Sequence, residues 1–460
     1  MAPRRDDDYA RGIMHDTYDE LVSQLTARWP EHRVAPSLSR ITALMDLLGE
    51  PQRCVPVIQI AGTNGKGSTA IMVEALLRAA GLRTGRFSSP HLADVRERIV
   101  IDGEPISREA FQACWADIRP YVEMVDEQAH DGVAMTFFEV ITGMAYAAFA
   151  DAPVDVAVME VGLGGRWDAT SVAEAQVAVV CPVGLDHTHI LGDSLAEIAG
   201  EKAGIIKEHA TAVLAGQDPA AAAVLLQRAV EVGARVKAEG PDFSLIDRRA
   251  AVGGQVLRIG TEGGPVGDLF LPLYGEHMAR NAALAVAAVE AFLGGKPLAA
   301  DIIAEGLGSV EAPARLERVR TDPPIVLDTA HNPQAALALA QGFSEAFSFQ
   351  PTIGVVAMMR DKDAREVLRT FAQIMDLIVV TKVRSSPRAR DVAELAELAQ
   401  EFFPDGAVHQ AATMEDALDQ AIMLADTLSE HAGILVAGSV IAAGEARLLL
   451  HKDEETVDVA

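Results

Sequence analysis

The chain has 460 residues, too many for one ordinary core, so two or three domains are expected. Half of the residues are hydrophobic, which argues against disorder, and 39 Lys+Arg against 66 Asp+Glu leave a net charge of −27. Such a surface repels phosphates and argues against a nucleic-acid partner; if the substrates are anionic, local cations or metal ions must offset the field.

The N-terminus, "MAPRRDDDYARG", runs from two arginines straight into acids with no apolar core, so no signal peptide is read there. The first strong element is "VIQIAGTNGKGSTAIMVEALLRAAG", Val57 to Gly81: an apolar strand, a loop with three glycines in seven residues, and a helix closed by Gly81. The loop (Gly62, Thr63, Asn64, Gly65, Lys66, Gly67, Ser68) departs from G-x-x-x-x-G-K-[ST], because Ile60 stands where the first glycine belongs and Gly67 follows the lysine. A helix N-terminus behind a glycine turn offers free N–H groups and a positive dipole to an anion, and Lys66 adds a mobile charge. A purely structural turn needs neither the lysine nor three glycines in seven residues, so a phosphate site is expected.

Further along, Thr136 and Glu139 have capping-box spacing ahead of the apolar run Val140–Phe149. The apolar stretch Val133 to Ala150 is interrupted by Glu139 and Thr142 and reads as a buried helix, not a membrane span. In "SLAEIAGEKAGIIK", Leu195, Ile198, Ala199 and Lys202 share one helical stripe. A lysine buried there tends to lose its proton, whereas one that snorkels to solvent does not; the stripe alone leaves both open. Near "GSVEAPARLERVR" Pro313 follows a helical stretch and a new strand pattern begins, which divides the chain into 1–308 and a smaller 309–460.

The runs "VPVIQIA", "VDVAVMEV", "AQVAVVCPV", "PIVLD", "IGVVAMM", "LIVVTK" and "GILVAG" are continuously apolar, and stretches such as "DALDQAIMLADTL" between them have helical spacing. Strands buried on both faces and alternating with helices predict parallel α/β sheets. Many runs end on Gly62–Ser68, Glu160, Asp186-His187, Asp328 or Gly438-Ser439, where open α/β sheets bind ligands. Ordinary turns would account for the glycines, less easily for the acids and the histidine. Cys54, Cys114 and Cys181 are widely spaced; Cys54 and Cys181 lie in strand-like apolar runs and suggest reduced thiols of a cytoplasmic protein.

The loop "GTNGKGS", together with "SSPHL", "ERIVIDGEPIS", "TFFE", "EVGLGGRWDAT", "LDHTHILGDSLAEIAGEKAGIIK", "GEHMARNA", "DTAHNP" and "DKD", resembles the folate branch of the Mur ligase superfamily, dihydrofolate synthase/folylpolyglutamate synthase, over nearly the whole chain. The resemblance implies a P-loop NTPase-like ATP-binding domain with a mostly parallel sheet, followed by a smaller Rossmann-like α/β domain. It implies an ATP-dependent ligase joining L-glutamate to 7,8-dihydropteroate, to reduced folates, or to both, through an acyl phosphate.

By the same resemblance ATP lies on Gly62–Ser68, Asn281, Arg315, Asp328 and His331, so that it bridges the two domains. Ser89 and Glu160 would hold one Mg²⁺, and His187 with a CO₂-carbamylated Lys202 a second; Lys66, Glu160, His187 and Lys202 form the catalytic set. Ala35, Pro36, Ser37, Thr136, Phe137, Phe138, Glu139, Trp167, Asp168 and Ala169 would form the pterin pocket. His189 has no such ligand precedent in the family and is read as a loop residue, and a monomer is expected. Four positions depart from the family pattern: Ala314 replaces Gly, Met278 replaces Gln, Ser171 replaces Asn, and Thr329 replaces a smaller residue. They keep two rivals in play, a ligase of the same superfamily acting on a non-folate acid and a catalytically inactive nucleotide-binding protein. Retention of Lys66, Glu160, His187 and Lys202 argues against the second.

Overall fold

The computed structural model describes residues 17–28 and 36–457. In chain order the strands are β1 Val57–Ala61, β2 Thr84–Phe87, β3 Ile99–Ile101, β4 Glu104–Pro105, β5 Val156–Glu160, β6 Val177–Val180, β7 Thr211–Leu214 and β8 Arg235–Ala238. They form one sheet in the order β4-β3-β2-β5-β1-β6-β7-β8, parallel from β2 to β8, with β3 antiparallel to β2 and β4 to β3. Alternate residues serve opposite faces. Ile58, Ile60, Val156 and Val158 join a core with the helices Lys66–Ala79 and Glu276–Phe292, while Val57, Ala157 and Met159 join one with Ser39–Leu47, Arg108–Gln128 and Phe137–Asp151. Both faces are dry, which is why these strands read as unbroken apolar runs.

Strands β9 Ser244–Ala251, β10 Gly254–Thr261 and β11 Gly264–Leu271 form an antiparallel sheet, order β11-β10-β9. Leu257, Ile259, Leu269 and Leu271 enter the core of the helix Glu276–Phe292, and the opposite face is wet. No continuous apolar run marks this sheet, so it escapes a search for buried strands. Its usable signals are the turns at Val252-Gly253 and Glu262-Gly263, with Gly253 in the left-handed region.

The remaining strands are β12 Arg315–Thr321, β13 Pro324–Asp328, β14 Thr352–Val356, β15 Leu377–Val380, β16 Val408–Gln410 and β17 Gly433–Ala437. Their order is β12-β13-β17-β14-β15-β16, all parallel except β12. Ile325, Leu327, Ile353 and Val355 face one core and Val326, Val356, Ile378 and Val380 the other. The expected class therefore holds: a large parallel-rich α/β sheet and a second, smaller mixed sheet. Cys181 is buried as expected, but Cys54 is exposed after a short 3-10 turn ahead of β1, because the apolar run becomes a strand only at Val57. Among the described residues no helix is long and apolar enough to cross a membrane.

Candidate active site

The carboxyl ends of the two large sheets face one cavity of about 710 Å³, lined from both. Of the expected residues it gathers Pro36, Ser37, Gly62–Ser68, Ser89, Thr136, Phe138, Glu139, Glu160, Trp167, Asp168, Ala169, His187, Lys202, Asn281, Arg315, Asp328 and His331. Phe137 is absent: as the first residue of its helix it turns into the core, with the Arg98 guanidinium 4.9 Å above its ring. Ala35 lies outside the described residues.

The loop after β1 is shaped by close approach. At Gly62, φ is +152° and an added Cβ would stand 2.6 Å from Cys181 Cβ. At Gly65, φ is +85° and a Cβ would meet Asn281 Oδ1 at 2.9 Å, so Asn281 is packed against the loop. Thr63 pins the loop to the segment leaving β6: its hydroxyl donates to Gly184 O and accepts from Gly184 N, both at 2.9 Å. No side chain caps the helix that begins at Lys66, which leaves its first-turn N–H groups available to an anion. Lys66 Nζ donates to Gly62 O at 3.2 Å and Thr63 O at 3.3 Å, folded over the same loop.

Glu160, the last residue of β5, is buried, and burial pushes its carboxyl up; Lys66, the Ser89 amide at 3.2 Å and Arg315 oppose that shift. A Cβ on Gly67 would lie 3.5 Å from its Oε2, so this carboxylate abuts the glycine loop. Among the described residues no three His, Cys, Asp or Glu side chains converge to hold a metal. A buried carboxylate and the Ser89 hydroxyl beside a phosphate loop do suit Mg²⁺, which takes one or two protein oxygens and completes its shell with waters and phosphate.

Lys202 ends the helix Leu195–Lys202, is 4% exposed, and donates from Nζ to Gly62 O at 2.8 Å. Burial, reinforced by the Lys66 ammonium, pushes its amine down to about 7. The apolar stripe thus buries this lysine instead of letting it snorkel. As an ammonium it is no metal ligand; as a carbamate it would be. His187 is pushed down to about 4 by burial and then by the Lys362 ammonium, 3.4 Å from its Nε2, which leaves the neutral imidazole a metal requires.

From the six-stranded sheet, Asp328 ends β13 beside Arg315 and accepts from Leu316 N at 3.0 Å and Ala330 N at 2.8 Å. Burial pushes its carboxyl up, against the Arg315 charge. His331 Nδ1 lies 2.9 Å from Thr329 O. On the opposite side of the cavity, Thr136 and Glu139 form the expected capping box. Glu139 also accepts from Arg40 Nε at 3.0 and 3.1 Å, and Arg40 is 1% exposed. Phe138 faces the cavity, Trp167 is half exposed beside it, and Asp168 is held as a cap by Leu163 N and Thr170 N at 3.0 Å.

The Mur ligase middle domain model matches residues 119–289, and the model "Mur ligase, glutamate ligase domain" matches residues 314–440. A dihydrofolate synthase/folylpolyglutamate synthase of Mycobacterium tuberculosis is 46% identical, over 97% of each chain. The chain belongs to the dihydrofolate synthase/folylpolyglutamate synthase family. The fold agrees: the M. tuberculosis folylpolyglutamate synthase complexed with ADP and AMPPCP matches with a TM-score of 0.90 at 47% identity, covering 94% of this chain and 98% of that one. The Escherichia coli member FolC, in complex with DHPP and ADP, matches at 0.82 and 29% identity, covering 95% and 99%.

The four departures from the family pattern have distinct settings. Ala314 is fully buried at φ +54°, the left-handed region that glycine would occupy without strain. Met278 is buried against the cavity. Ser171 Oγ accepts from Gln59 Nε2 at 2.8 Å and donates to Gly165 O at 2.6 Å, so it is fully engaged. Thr329 Oγ1 is buried with no hydrogen-bond partner. Three further residues line this cavity: His189, expected in a loop but placed in the short helix Thr188–Leu191, and Lys362 and His277, which sequence reasoning did not single out; His277 is pushed down to about 4 by burial and then by Arg315. Lys362 follows an apolar strand, so the strand-end pattern that singled out Glu160 could have found it.

Proposed function

We propose that this chain joins L-glutamate to 7,8-dihydropteroate, to a reduced folate already carrying glutamate, or to both, at the expense of ATP. The observation that carries the reading is one cavity shared by an uncapped phosphate-type loop, Lys66, buried Glu160, and Arg315 with Asp328 from the other sheet. The γ-phosphoryl group of ATP passes to a substrate carboxylate oxygen, breaking the bond to ADP and forming an acyl phosphate. The glutamate α-amine, having lost a proton, attacks the acyl carbon, and the tetrahedral intermediate expels phosphate to leave an amide.

Within that sequence Lys66 and the loop amides offset charge on the transferring group. Asn281, Arg315 and Asp328 hold the nucleotide from both sides, and His331 stands beside them. Glu160 with Ser89 would hold one Mg²⁺, and His187 with carbamylated Lys202 a second. When bound, the ions neutralise phosphate oxygens in a protein of net charge −27. Carbamylation is supported by the buried Lys202 amine, neutral in good part near pH 7 and therefore able to add CO₂ with release of a proton. Pro36, Ser37, Phe138, Trp167 and Ala169 would border the pterin, with Thr136, Glu139 and Asp168 fixing the turns beneath it.

A division at 1–308 and 309–460 is part of the proposal, supported by separate sheets on either side of Pro313. So is action as a cytoplasmic monomer, as the resemblance and the widely spaced thiols suggest. The deciding experiment supplies ATP, Mg²⁺, bicarbonate and L-glutamate and compares 7,8-dihydropteroate with tetrahydrofolate by product mass spectrometry. A glutamate-sized gain on either supports the reading and tells which reaction runs. No gain on either, in protein that binds ATP, overturns it in favour of another carboxylate substrate.

A further inference from the structure

The junction of the two large sheets carries a polar connection in which Lys362, Asp186 and Asn332 have no part in the ligase roles. Lys362, on the segment after β14, has an 8% exposed side chain and donates from Nζ to Asp186 Oδ1 at 2.6 Å. Asp186 belongs to the other half, on the segment leaving β6, and its side chain is 11% exposed. Its second oxygen accepts from Asn332 Nδ2 at 3.2 Å, with His331 Nε2 3.7 Å away. Asn332 Nδ2 also donates to Asn64 Oδ1 at 3.0 Å in the phosphate loop, and Asn64 Nδ2 donates to Gln334 Oε1 at 2.9 Å. Every one of these links crosses from one half to the other.

The orientation of the central amide is not free. Asn332 caps the helix Pro333–Ala346 by accepting from Ala335 N at 2.9 Å, so its oxygen, which also accepts from Asn64 Nδ2 at 3.3 Å, faces the helix N-terminus and its NH₂ faces Asp186 and Asn64 Oδ1. General adhesion between halves would be served as well by apolar contact, because burying an ion pair costs desolvation that its attraction barely repays. Directional hydrogen bonds add something apolar contact lacks, a defined register. Here the register is that of Asn64, next to Gly65 and Lys66, and of the segment carrying His187.

We propose that Lys362, Asp186 and Asn332 are positioning residues that clamp the second half onto the phosphate loop and set the geometry in which phosphoryl transfer occurs. The kinetic part rests on the ligase reading above; the structural part does not.

The test uses the full chain with Lys362→Met, Asp186→Asn and the double variant. It reads amide hydrogen exchange over residues 62–68 without substrate, then the KM for ATP and kcat. Each single variant should speed exchange roughly ten-fold and raise KM, and the double should be no worse than the worse single, as for groups acting as one unit. Unchanged exchange, or single effects that multiply in the double, would overturn the clamp. Asn332→Ser keeps a capping oxygen and loses the amide, so it should loosen the loop while the helix persists; if it behaves as wild type while Asn332→Ala does not, Asn332 is only a cap and the proposal fails. Non-additive exchange among these variants of a protein whose wild type ligates no folate would sustain the clamp and remove the ligase reading, which keeps the two failures apart.

Discussion

The eight-stranded sheet brings Lys66, Glu160, His187 and Lys202 to the cavity on segments that hold one another: Ser89 N on Glu160, Lys66 and Lys202 both on Gly62 O, Thr63 on Gly184. The six-stranded sheet brings Arg315, Asp328, His331 and Lys362, held to the first half by contacts across the junction such as Asn332–Asn64 in the glycine loop and Lys362–Asp186. One half thus carries a self-supporting set of charges, and the other completes it by docking. The difference teaches where a substitution should be felt: in the chemical step for the first set, in assembly and nucleotide affinity for the second.

The sharpest test is Glu160→Ala, which should cut ligation about 100- to 1000-fold at saturating ATP and glutamate, the scale of losing a preorganised electrostatic group. Near-normal product formation by mass spectrometry would break the contrast at once. Lys202→Ala should cost about 100-fold, with acetate restoring part of the rate, since a small carboxylate can occupy the space of a carbamate. The same lysine sets a pH dependence. With its amine held at about 7, the ammonium dominates below that value and the reactive neutral amine above it, so carbamate mass on the native protein should rise as pH increases through 7. A flat profile would contradict a buried reactive amine.

On the docking side, Arg315→Ala should raise the KM for ATP about ten-fold with a smaller change in kcat, the mark of lost uniform binding. An equal fall in kcat and kcat/KM would move Arg315 into the chemical step and blur the comparison. The smallest effect is expected of Ala314→Gly. Relief of the left-handed alanine outweighs the added freedom of the unfolded chain, so the thermal midpoint should rise by about 1 °C in a protein of this size. Scanning calorimetry of the pair would decide it.

Much was legible in the sequence because the relevant signals are local. The seven continuous apolar runs became buried strands, Thr136 and Glu139 became a capping box, and the stripe through Leu195, Ile198 and Ala199 did bury Lys202. What escaped has equally physical reasons. The β9–β11 sheet has one wet face and no unbroken apolar run. Phe137 turned inward because the first residue of a helix projects where neighbouring packing directs it, and Cys54 stayed outside because the run containing it had not yet become a strand.

The sequence alone determined the fold class, the glycine loop with its lysine, and the acids at strand ends, since each depends on residues within a few positions of one another. Only the tertiary structure decided the protonation tendencies of Lys202, His187 and Asp186, for these depend on which charges lie nearby in space. Burial resists ionisation of Asp186, yet His331 and Lys362 outweigh it and hold the carboxyl well below the usual range. That pairing joins residues 176 positions apart. No local periodicity encodes such a distance; it exists because two separate sheets present their carboxyl ends to the same cavity.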